Sequence, residues 1–101
     1  MKRPLSTDLD IILMGEQVEA MEAAKRLIAK NDQAQVETLI PIVKNKRAPL
    51  WSRIAAIYTL GFIDLDAVAV PTLRAIGGDY NESEMIRDHA LEALEHLDGC
   101  C

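Results

Sequence analysis

His89, Glu92 and His96 fall at i, i+3 and i+7 of one apolar-periodic segment, which puts all three on one face if the segment is helical. Imidazole and carboxylate are ligands for zinc and similar ions, so the set offers three donors to a metal. The outer two are separated along a helix by roughly 10 Å, too far to share an ion readily, and the three are read as solvated surface side chains. Cys100 and Cys101 add two thiols, but adjacent cysteines seldom bridge each other, and the pair reads as an exposed tail, with Cys100 at most a further ligand. Ser6, Ser52 and Ser83 stand where helices begin, with no histidine–aspartate pattern beside them. Gly77-Gly78 lacks the Lys-Ser/Thr that completes a phosphate loop. No catalytic, cofactor-binding or metal-binding set is assigned, and the chain is expected to be non-catalytic on its own.

These residues sit in a chain of 101, half of it apolar, the size and balance of one globular domain. Net charge is −5 but uneven: residues 1–48 hold eight Lys/Arg against seven Asp/Glu, and residues 49–101 hold three against nine. An acidic chain is a poor ligand for nucleic acid, whose affinity rests on phosphate neutralisation. The run Ile11–Met14 is too short for a signal peptide, and nothing approaches a membrane span. A cytoplasmic protein is expected.

Six helical segments are marked by their punctuation. Ser6-Thr7-Asp8 caps a short helix that Gly15 stops. Glu16 to Lys30 is amphipathic, acidic at its start and basic at its end. Ala34 to about Asn45 follows, with Pro41 expected to kink it or shorten its start. Pro49 opens a helix over Leu50–Phe62, Ala67 to about Ile76 ends at Gly77-Gly78, and Glu82-Ser83-Glu84 begins a last helix ending at Asp98-Gly99. Strand-like alternation is absent, so the fold class is all-α.

The segments repeat. Arg53, Ala56, Ile57, Leu60 and Ile63 match Arg87, Ala90, Leu91, Leu94 and Leu97 at an offset of 34. A weaker copy at an offset of 33 puts Ala23 on Ala56 and Leu27 on Leu60. Periods of this length indicate stacked helical hairpins. Read this way, residues 1–99 form one domain, with pairs at about 16–45 and 49–77, half-repeats at 6–14 and 82–98, and a tail at 100–101. Arg53 and Arg87 are expected to be structural repeat arginines, each paired with an acid in an inter-helix turn, Asp64 or Asp66 being candidates.

Arg53, Ala56, Ile57, Leu60, Gly61, Ile63 and Asp64, followed by Ala69, Val70, Pro71 and Leu73, are similar to the HEAT-like repeat of the phycobilisome (bilin) lyase family. Ile86-Arg87 through Asp98-Gly99 echoes the first helix of that pattern. The resemblance covers residues 50–99 well, 16–45 weakly and 1–14 not at all. It implies a short right-handed α-solenoid, with the first helix of each pair on the convex face and the second on the concave face. It also implies a choice among lyase subunits, di-iron hydroxylases, DNA glycosylases and adaptors. The His-Glu dipeptides of the hydroxylases are missing, and Trp51, Tyr58, Phe62 and Tyr80 are too few aromatics for a glycosylase groove. The expected function is a protein-interaction or adaptor module binding another protein's segment on the concave face, through outward positions that include Glu37, Lys44, Val70 and Arg74. The alternative is an accessory subunit of a bilin-lyase-like enzyme, handling a tetrapyrrole or its carrier. End-to-end stacking into a homo-oligomer is a further option.

Overall fold

The computed structural model of the protein describes residues 8–31, 34, 37–63 and 66–97, with backbone alone at 66–68. The expected Ser6-Thr7 cap, Asp64 and the cysteine tail lie outside the described residues. Those residues form six α-helices: α1 Asp8–Met14, α2 Gln17–Lys30, α3 Ile40–Lys44, α4 Leu50–Phe62, α5 Asp66–Gly77 and α6 Glu84–Leu97. No strand occurs among them, as the all-α reading required.

Local chemistry explains the boundaries. α1 stops at Gly15, whose φ of +77° lies in the left-handed region that suits glycine. A Cβ there would stand 2.6 Å from the Pro49 Cβ, so the turn after α1 lies directly on the turn before α4. Asn31 ends α2 with φ 52° and donates its N–H to the carbonyls of Leu27 and Ile28. Pro41 does not kink a long helix. Thr38 and Leu39 form a turn and Pro41 stands in the first turn of α3, where its missing N–H costs nothing. α4 is buried from Ser52 to Gly61 except at Tyr58, because it is apolar on nearly every side and has neighbours on nearly every side.

The repeat is visible in the hydrogen bonds. Gly15 N–H donates to Ile12 O at 3.1 Å, Ala48 N–H to Asn45 O at 3.0 Å, and Glu82 N–H to Asp79 O at 2.9 Å. The bonds Ala20 to Glu16, Arg53 to Pro49 and Arg87 to Ser83 repeat at the same steps of 33 and 34. The second and third turns also share a side-chain turn. Asn45 Oδ1 accepts from Arg47 N–H at 3.0 Å, and Asp79 Oδ1 from Asn81 N–H at 2.9 Å.

Consecutive helices pack as α1 on α2, α3 on α4 and α5 on α6, while α2, α4 and α6 touch in series. α5 makes little contact with α4, although the sequence groups them within 49–77. A period can be cut at either loop, and the polar turns join the helices that pack most closely. The molecule extends over 46 × 27 × 20 Å.

Two charged clasps link the helices. The Arg53 guanidinium is buried and bidentate on Glu82, with Nη2 to Oε2 at 2.6 Å and Nη1 to Oε1 at 2.9 Å. Its Nε and Nη2 also donate to Val43 O, at 3.1 and 2.8 Å. Glu82 in the turn before α6 is thus the acid met by Arg53 among the described residues; the side chain of Asp66 lies outside them.

The second clasp joins α1 to α2. The buried Asp8 carboxylate accepts from Arg26 Nε at 2.8 Å and Lys30 Nζ at 3.1 Å. Burial opposes ionisation of Asp8, but the hydrogen bonds and charges of Arg26 and Lys30 outweigh it and hold the carboxyl below its ordinary 3.8. A lowered folded-state value stabilises the fold above the unfolded value, and the benefit is lost as pH falls through the folded one. Both cations are about half exposed, so solvent limits the gain. Asp8→Asn is expected to cost about 1 kcal/mol at neutral pH. In urea titrations repeated at falling pH, the gap between variant and wild type should close below about pH 4.

Candidate functional site

Two surfaces of the helix array merit consideration. On the α3/α5 side, Lys44 ends α3 and Arg74 lies in the last turn of α5, both exposed; Val70 is half-buried and Glu37 is exposed. α3 and α5 touch, which brings Lys44, Val70 and Arg74 onto neighbouring helices. Nearby Lys46 is committed to Asp79 at 3.2 Å. The Asn81 N–H, then Lys46, hold the Asp79 carboxyl below its ordinary value.

The second surface is a groove of about 210 Å³ between α4 and α6, lined by Tyr58, Phe62, His89, Glu92, Ala93 and His96. Tyr58 and Phe62 meet at 4.7 Å between ring centroids, tilted by 46°. Phe62 and His96 meet at 3.9 Å, tilted by 48°. The three residues that the sequence offers as metal ligands therefore line an aromatic wall. Among the described residues no group of three or more His, Cys, Asp or Glu side chains is placed to hold a metal ion. Tyr58 and Phe62 escape a reading confined to one helix. Their signal is the repeat itself, since adding 34 turns them into Glu92 and His96.

Gly61 sets the depth of this groove. A Cβ on it would lie 2.8 Å from the Ala93 Cβ and 3.1 Å from the Ala93 Cα, so α4 and α6 approach through bare backbone.

The two repeat arginines have different surroundings. Arg87 lies over the Tyr80 ring at 4.5 Å, a cation–π contact, and its buried Nε has no hydrogen-bond partner. Glu82 reaches Arg53 from the turn of the following unit, and no further turn follows α6 among the described residues.

The outer helices show the same change of surroundings. Ile54 and Gly61, buried in α4, correspond to exposed Asp88 and Glu95 in α6. Buried Ser52, Ala55 and Thr59 correspond to exposed Glu19, Glu22 and Arg26 in α2. Ile11, Met14 and Val18 line an apolar hollow among those α2 charges.

Comparison of the chain with protein-family models, with curated proteins and with solved structures finds no match in any of the three. No helix among the described residues is long and apolar enough to cross a membrane.

Gly61→Ala is expected to destabilise the fold by about 1–3 kcal/mol through overpacking, even though alanine favours helix by about 1 kcal/mol. Adding Ala93→Gly should recover part of the loss, as read from urea midpoints.

Proposed function

We propose that the chain is a short HEAT-like α-solenoid acting in the cytoplasm as a protein-interaction module, non-catalytic on its own. The observation that carries this reading is the hydrogen-bond register repeated across three turns, with α4 buried between its neighbours. Stacked units of this kind form a rigid, extended surface whose shape is set before any partner arrives. A partner that meets such a surface orders few groups on the module's side, which lowers the cost of association.

The partner segment would lie along the α3/α5 side. Lys44 and Arg74 supply positive charge there and Val70 a partly apolar contact, so a segment with an apolar residue beside carboxylates fits it. Both ends of the row carry exposed acids, Glu19 and Glu22 at one and Asp88 and Glu95 at the other.

Affinity capture from the native host's lysate, with Lys44→Glu/Arg74→Glu as the control, tests this. One stoichiometric protein held by the wild type and lost by the equally folded control is expected. Retention of the same protein by both would contradict the assigned face.

A further inference from the structure

We infer that the hollow between α1 and α2 is a second docking surface, one that takes an amphipathic helix of a partner protein with lysine or arginine beside its apolar stripe. Leu13, Met14 and Val18 flank the turn from α1 to α2 and are 50%, 58% and 65% exposed. Ile11, Met14 and Val18 line a hollow there of about 420 Å³. Exposed apolar side chains gathered in one place and rimmed by polar ones mark interaction surfaces. Met14 adds a side chain that adapts its shape to what packs on it.

The repeat indicates the shape of the occupant. On α4 the positions that match Glu19, Glu22 and Arg26 are Ser52, Ala55 and Thr59, all buried. Ser52 Oγ donates to the Ile12 carbonyl at 2.6 Å, so α1 lies against that side of α4. The same side of α2 is open, and a helix laid on it repeats packing the chain already uses. Charge then selects the sequence of that helix. Glu16, Glu19 and Glu22 line the hollow with one cation, Arg26, whose Nε is held by Asp8 at 2.8 Å. None of the three glutamates is in an ion pair among the described residues. A wholly apolar helix would strip water from carboxylates it cannot pair. An acidic helix or an anionic membrane would be repelled. Lysine or arginine beside the apolar stripe meets the carboxylates while the stripe enters the hollow. Lys44 and Arg74 do not line this hollow, so charge reversal there leaves it intact and the two readings fail separately.

The test is an amide-resolved NMR titration with the acetylated, amidated peptide Ser-Ala-Leu-Lys-Gln-Lys-Leu-Ala-Ala-Leu-Lys-Gln-Lys-Leu, whose leucines form one helical stripe flanked by lysines. Controls are the same residues in scrambled order, and the same peptide with glutamate for lysine. Saturable shifts at Met14, Val18 and Glu19 are expected, several-fold weaker with the scrambled peptide and absent with the glutamate one. Glu19→Gln/Glu22→Gln should weaken binding about fivefold and Val18→Ser roughly three- to fivefold. Asp88→Asn/Glu95→Gln, an equal loss of charge elsewhere, should leave it unchanged. Equal weakening by the two charge variants, indifference to Val18→Ser, or no saturable shift would overturn the site. Shifts at the same amides on diluting the free protein would give the hollow to a second copy, and shifts on Lys2→Ser/Arg3→Ser to the chain's own residues 1–7. Either would overturn the assignment to a partner.

Discussion

One buried guanidinium ties the end of α3 and the turn before α6 to the middle of the helix array. α3 has only five residues and is too short to persist by itself in water. Its Val43 carbonyl, near the helix end where carbonyls lack intrahelical partners, accepts two bonds from Arg53. The rest of that guanidinium is taken by Glu82, from the turn that launches α6. Arg53 therefore links the end of α3 and the turn before α6 to α4. Neither charge has an exit to solvent, so loss of either partner strands the other in a low-dielectric interior.

The surroundings of a unit decide what its repeated positions do. In α4, with a neighbour on each side, equivalent positions are aliphatic or small. In α2 and α6 they become glutamate, aspartate and arginine. Arg53 and Arg87 show the same divergence: one is enclosed by a carbonyl and a carboxylate, the other covered by Tyr80. Repetition gives these positions a common geometry, and the neighbours give each its chemistry. The aromatic groove illustrates this, since its walls are the same repeat positions on successive helices with different side chains.

Much of the architecture is legible in the sequence because helix punctuation and period are local. Gly15 as a stop, Pro49 as a start and the steps of 33 and 34 all appear in the structure at the residues that suggested them. The phase of the repeat is not local. Nothing in periodicity says which loop joins the closely packed helices, and the choice rests on α5 turning its apolar face to α6. Long-range pairs are hidden for the same reason. Attention to nearby turns favours Asp64 or Asp66 for Arg53, whereas Glu82, 29 residues away, is brought in by the packing of α6 on α4. Helix faces can be read from spacing, but the face across the gap cannot.

The central claim is that Arg53 and Glu82 act as one clasp, and a double-mutant cycle in urea tests it most directly. Glu82→Leu and Arg53→Met alone should each cost about 3–5 kcal/mol, since each leaves a buried charge unpaired. The double variant should lose far less than the sum, with a coupling on the order of 2 kcal/mol or more. Single losses that simply add would show that the two residues stabilise the fold independently, and would contradict the account.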